Sequence, residues 1–187
     1  MLTWLRARGR IGRIATKLYG SVVTQARDPA FYALYRVPDT PEGRLEMLLI
    51  HLCLVLERLK GEREAGAALS RSLVEAFVTD VDDSMREMGV GDLSVPRKVK
   101  KAAAALFDRL QEFRAAMGEA GSRELVEALT RNVYGLAVAA EGCRAGAVAI
   151  AGYLREAAAA LAAQESAEVL AGRVVFPAAA RSNRREE

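Results

Sequence analysis

A chain of 187 residues, half of them apolar, can bury a core of its own and is too apolar to be disordered throughout. The net charge of +3 is small but unevenly spread, so the pI near 9.0 describes patches rather than a uniform field. Two cysteines, Cys53 and Cys143, both in apolar surroundings, give no disulfide frame and read as core thiols of a reduced compartment.

From Met1 to Arg27 there are six basic residues (Arg6, Arg8, Arg10, Arg13, Lys17 and Arg27) and no acidic one. No long apolar stretch followed by small residues is present, so this is not a secretory signal. Its acid-free, arginine-rich character is that of a mitochondrial presequence. Against that, 22 arginines to 5 lysines and abundant alanine suggest a GC-rich bacterial genome and a cytoplasmic protein. Trp4 and two leucines beside arginines in "MLTWLRARGR" have the composition of an interfacial lipid anchor. We expect a basic N-terminal segment at 1–13, a helical domain over 14–172 and a tail at 173–187.

Helical periodicity then runs almost without a break. Ile11, Ile14, Leu18 and Val22 share one face. Asp39 or Thr40 caps a helix of about Thr40 to Lys60, with Pro41 in its first turn and Glu42 placed to close a capping box with Asp39. That helix stops at Gly61, and because its middle is apolar almost all round it belongs at the centre of a bundle. Its apolar run, Met47 to Leu56, is interrupted by His51 and falls short of the ~20 residues a membrane span needs. His51 is the chain's one histidine, and on such a helix it reads as a hydrogen-bonded core residue rather than a ligand or base.

The next helix carries a stripe of Leu69, Leu73, Phe77, Val81, Met85 and Met88. Within it "DVDDS" invites comparison with a magnesium–diphosphate site of the isoprenoid-enzyme kind. Yet Asp80 and Asp83 share a face while Asp82 points away, and no second acidic cluster stands opposite. In "MREMGVGDLSVPRKVKK", Gly89 closes the helix, Gly91 lets the chain turn back, and Asp92 or Ser94 caps a new helix with Pro96 in its first turn. Arg97, Lys98, Lys100 and Lys101 then sit where the helix dipole is positive, each costing ~0.3–1 kcal/mol before screening. Val99, Ala103, Leu106, Leu110, Phe113 and Met117 form the next stripe. A helix follows from Ser122 to about Tyr134, and an alanine-rich one from about Gly142 to Gln164, its apolar run broken by Arg144, Arg155 and Glu156. "VVFP" reads as extended. The class is all-α: a single-domain multi-helix bundle.

Catalytic signatures are missing from this pattern. There is no metal-spaced Cys/His set, no nucleophile elbow and no Gly-rich phosphate loop, so we expect no catalytic residues, no cofactor and no bound metal. A specific DNA reader is not expected either, since the turn joins two long helices. RNA or an anionic membrane surface remains open to the basic patches.

Taken in order, "YGSVVTQARDPAFYALYRVPDTPEGRLEMLLIHLCLVLERL", "FVTDVDDSMREMGVGDLSVPRKVKK" and "LTRN" resemble the ubiquinol–cytochrome c chaperone family, assembly factors of respiratory complex III in mitochondria and alphaproteobacteria. The resemblance covers about Ile14 to Arg131, and the matching residues include Tyr19, Phe31, Tyr32, Asp39, Arg44, His51, Arg86, Gly89, Gly91 and Asp92. One departure is Leu106, Phe107 and Asp108 before Arg109, where the family has an aromatic pair and a glycine.

The resemblance implies a helical, non-catalytic protein that holds newly made cytochrome b until haem insertion and further assembly. It implies a place at the cytoplasmic side of the inner membrane, with a small partner protein and the ribosome exit region as further contacts. A holdase for membrane helices needs exposed apolar surface. The expected contact set is therefore Phe31, Tyr32, Tyr35, Met85, Met88 and Met117, with Arg86, Arg97, Lys98, Lys100 and Lys101 facing ribosomal RNA, anionic lipid or acidic client loops. Two other readings compete with it: a basic helical module that binds RNA or membrane without a client, and an isoprenoid-type enzyme using "DVDDS".

Overall fold

The computed structural model describes residues 2–117, 122–135 and 141–179. Among them are eight α-helices and no strand: α1 (Leu2–Ala26), α2 (Pro29–Ala33), α3 (Pro41–Leu59), α4 (Arg63–Glu87), α5 (Val95–Met117), α6 (Ser122–Tyr134), α7 (Glu141–Ala162) and α8 (Ser166–Leu170). The Trp4 side chain and the "RSNRREE" tail lie outside the described residues. The backbone of α1 is continuous across residues 13 and 14.

The helix that is apolar all round is the axis of the bundle. Every residue of α3 from Leu49 to Leu56 is buried, and α1, α4, α5, α6 and α7 all pack on it. Its start is capped by Thr40, whose hydroxyl accepts the Gly43 N–H at 3.1 Å. The expected box with Asp39 does not form. With Thr40 as the cap, Glu42 is one position short of the reciprocal site, and Asp39 turns to Arg44 at 2.6 Å. α3 passes through a 3₁₀ turn, Lys60–Glu62, into α4. There the half-buried Arg58 gathers Glu62, the Leu161 carbonyl at 2.8 Å and the Gln164 carbonyl at 2.9 Å, tying this corner to the C-terminus of α7.

α4 ends as the glycine predicts. Gly89 takes φ +75°, its N–H reaches the Arg86 carbonyl, and the Val90 N–H reaches back to Met85. Those two bonds make a Schellman closure. Asp92 does not cap α5 but pairs with Arg86 at 2.7 Å, while the first helical bond of α5 joins the Lys98 N–H to the Ser94 carbonyl. Arg109 of α5 spans to Glu46 of α3 in a two-pronged pair at 2.7 and 3.0 Å, and also reaches Glu112, which holds Arg131 and Asn132 of α6. Burial opposes the Arg109 charge, but the Glu46 hydrogen bonds outweigh it and its pKa rises. Three helices are thus fastened by two side chains of α5, Arg109 and Glu112, at the place where the sequence departs from its resemblance.

Residues 142–162 of α7 are long and apolar enough by composition to cross a bilayer. In the bundle Ala147, Ile150, Ala151, Tyr153, Leu154, Ala157 and Leu161 face inward against α3 and α6. Close approach is possible because residue 146 is glycine: a Cβ there would overlap the Tyr35 carbonyl and the Tyr134 hydroxyl, which themselves bond at 2.6 Å. After α8 the chain, "VVFP" included, runs back without regular secondary structure. Val174 and Ala179 are buried, and the Tyr35 hydroxyl donates to the Ala179 carbonyl.

His51 lies at the centre with no exposed surface. Its Nδ1 is 2.7 Å from the Met47 carbonyl, which can only accept, so Nδ1 carries the proton and Nε2 accepts from the Tyr153 hydroxyl at 2.9 Å. Phe31, Tyr153 and Phe176 surround the ring edge-on or tilted, with centroids 5.3–5.6 Å from it. Burial drives its pKa down to about 4, with the Met47 bond only partly resisting. This is the satisfied core histidine the sequence suggests.

Candidate functional site

Three helix ends converge beside α2 and leave a groove of about 480 Å³. The end of α1 and the residue after it supply Val23, Ala26 and Arg27; the first turns of α3 supply Arg44, Leu45 and Leu48; the end of α4 and the residue after it supply Asp80, Val81, Ser84, Met85 and Met88. The floor is apolar because α3 carries apolar side chains on every side, more than its neighbours cover at this end. Leu45 and Leu48 are left half-buried there. Met88, at 58% exposure, stands on the rim.

The walls are held by hydrogen bonds rather than by packing alone. The Tyr19 hydroxyl donates to Asp80 at 2.7 Å, joining α1 to α4, and the Tyr32 hydroxyl donates to the Ala26 carbonyl at 2.9 Å, joining α2 to α1. Burial, reinforced by the Asp80 bond and charge, raises the Tyr19 pKa, so the phenol stays protonated and remains a donor. Arg44 holds the Asp39 carboxyl below its usual range, although both are exposed. The Arg27 side chain makes no ion pair or hydrogen bond among the described residues, which leaves an uncommitted cation on the rim.

The expected contact residues do not gather in one place. Met85 and Met88 line the groove, as an exposed apolar surface requires. Phe31 and Tyr35 do not: both are buried in the core, Phe31 against His51 and Tyr153, so the expectation that this aromatic segment is exposed is corrected. A five-residue helix docks as a plug, its start pinned by Asp28 accepting the Ala30 N–H at 2.9 Å. Tyr32 is half-buried as a brace of the groove wall, and Met117 is half-buried at the end of α5. Arg86 spends its charge on Asp82 and Asp92, both at 2.7 Å. Arg97, Lys98, Lys100 and Lys101 are exposed on α5, outside the groove lining.

"DVDDS" is likewise dispersed, Asp80 to Tyr19, Asp82 to Arg86 and Asp83 to solvent. No group of three His, Cys, Asp or Glu side chains among the described residues is placed to hold a metal. Burial pushes the Cys53 thiol up to about 12, the behaviour of a core side chain. What the groove offers is a slot of flexible apolar side chains with a polar rim, suited to holding a chain segment. Sequence reasoning missed Val23, Ala26, Leu45 and Leu48. The signal was the surplus of apolar positions on α3.

The profile of the ubiquinol-cytochrome C chaperone family matches residues 34–176. The chain belongs to that family. The matched stretch contains the α3 and α4 walls of the groove, the α4–α5 turn and the central histidine. The crystal structure of the Cbp3 homolog from Brucella abortus is similar over 96% of this chain and 98% of that one, with 33% sequence identity and a TM-score of 0.80. No curated protein matches the chain. Since α1 and the returning tail fall within a likeness of that extent, this member of the chaperone family shares the whole bundle with its relative and not the central helices alone.

Proposed function

We propose that this protein is a non-enzymatic assembly chaperone that holds newly made cytochrome b during assembly of the ubiquinol–cytochrome c reductase, gripping an apolar stretch of that client in the α1–α3–α4 groove. The observation that carries the reading is the groove itself. In a bundle whose buried side-chain polar atoms all have partners among the described residues, Leu45, Leu48, Met85 and Met88 are open to a ligand. Family membership supplies the class of client, and the slot supplies a means of holding an apolar segment without chemistry. Thioethers and leucines adapt to successive segments at little cost in shape.

The test is site-specific photo-crosslinking in cells making cytochrome b. A crosslinker at Leu45 or Met88 should capture the client, and one at Arg71, exposed on α4 away from the groove lining, should not. Equal capture from all three positions, or none from the groove, would remove the site from consideration.

A further inference from the structure

Arg97, Lys100 and Lys101 share the outer face of α5 with two large, mostly uncovered apolar side chains, and Lys98 lies on the flank of that face. Leu93, in the turn before α5, is 99% exposed, and Phe107, about three turns into α5, is 59% exposed. Between them Pro96, Arg97, Lys98, Lys100, Lys101 and Ala104 are also exposed, while Val95, Ala102 and Leu106 take the buried face. Fourteen positions separate Leu93 from Phe107, roughly 20 Å at the helical rise. The side chains of these cations make no ion pair or hydrogen bond among the described residues. Nearby acids belong elsewhere: Asp82 and Asp92 flank Arg86, Asp83 and Glu87 lie on α4, and Asp108 comes after Phe107 at the far end.

We infer that this outer face of α5, from Leu93 to Phe107, docks on an anionic lipid bilayer, with the cations at the headgroups and Leu93 and Phe107 dipping below them. The pattern is that of an interfacial helix: basic side chains flanked by apolar ones, on a segment too charged to span. A polynucleotide would engage the same cations but has no use for a fully exposed leucine, and one phenylalanine is no stacking platform. Helix stability does not explain the cations, because they oppose the dipole at the start of α5. Docking also has a geometric consequence. Met88, on the groove rim, lies five residues before Leu93 in the same turn region, so a docked α5 brings the groove mouth to the bilayer surface. The inference stands apart from the identity of the client.

Flotation of the full chain with liposomes tests it without any client. Binding is expected to vesicles of equimolar phosphatidylcholine and phosphatidylglycerol, to be absent with phosphatidylcholine alone, and to fall as salt rises. Arg97→Gln/Lys98→Gln/Lys100→Gln/Lys101→Gln should lower partitioning by about 100-fold or more, on the basis of roughly fivefold per cation near the surface. Leu93→Ser/Phe107→Ser should lower it about tenfold or more with every charge in place. All six residues are exposed or at the surface, and circular dichroism should show each variant folded. The proposal is overturned if neither variant changes partitioning, or if wild-type protein does not float with anionic vesicles. It is equally overturned if the glutamine variant loses affinity for an RNA duplex while the serine variant binds vesicles as well as wild type, which would make the face a polynucleotide surface.

Discussion

The middle of the bundle and its α4–α5 end are built on opposite rules. Around His51 each polar atom meets one partner chosen by its chemistry: a carbonyl for the Nδ1 proton and a phenol for Nε2. At the α4–α5 end, Leu93 stands in water, Met88 is open, and four cations lack a partner among the described residues. Both regions are built from α-helices and the chain that joins them, so the difference is not one of secondary structure. It separates what the fold requires from what the fold leaves available, and a chaperone needs both. A rigid interior lets a surface carry apolar and charged groups that would otherwise threaten stability.

The comparison can be broken most directly inside. Arg109→Met should destabilise by about 3 kcal/mol, because Glu46 would keep its largely buried charge with no counterpart. Urea unfolding measures it, and a loss under about 1 kcal/mol would mean the α3–α5–α6 fastening is ornamental.

Acid should strike the same interior. The unfolded His51 titrates near 6.5 and the folded one at about 4, so between these values the unfolded chain holds more protons. Stability is therefore full above pH 6.5 and falls as pH drops toward 4, by about 3 kcal/mol from this group alone. Carboxylates held low by ion pairs add a loss of the same sign at lower pH, so the informative quantity is a difference. His51→Gln should flatten the wild-type slope between pH 6.5 and 4.5, and an unaltered slope would show that the histidine is not buried neutral.

How much of this was legible depends on the range of the interaction. Local pattern placed α3 at the centre, because an all-round apolar helix has no other place to go, and it located the turn at Gly89, because φ +75° is easy only for glycine. It placed the boundaries of α6 and gave His51 its role. It could not see that Phe31 and Tyr35 are interior, since α2 is one turn long and has no periodicity to read. It could not see the groove, whose walls lie as far apart in sequence as Val23 and Met88, or the Glu46–Arg109 pair, 63 residues apart. The cations were legible as an anomaly. Leu93 as their neighbour in space was not, until the turn was seen to hold it fully in solvent.

A smaller effect is expected at the α7 crossing. Gly146→Ala should cost about 2 kcal/mol, since the added methyl would meet the Tyr35 carbonyl, a backbone atom that cannot swing aside. Thermal melting reads this out, and a melting temperature equal to wild type would mean α7 sits farther from the α2 loop than described. The smallest effect separates the two regions most sharply. Replacing Arg97, Lys98, Lys100 and Lys101 together by glutamine should leave the melting temperature unchanged or slightly higher, because the cations oppose the helix dipole. A fall equivalent to more than about 1 kcal/mol would assign them to the fold after all.

The returning tail sets a clock on synthesis. Phe176 closes one side of the His51 ring at 5.5 Å, and Tyr35 is bonded to the carbonyl of Ala179. The first of these contacts joins residues 125 positions apart and the second 144. Neither can form until nearly all of the chain has left the ribosome, so a nascent copy has its central helix made and its histidine still unsealed. Such distant closures come late and slow the final step of folding. A truncation that stops short of Phe176 would therefore leave open the most fully enclosed part of the molecule, although it removes only irregular chain.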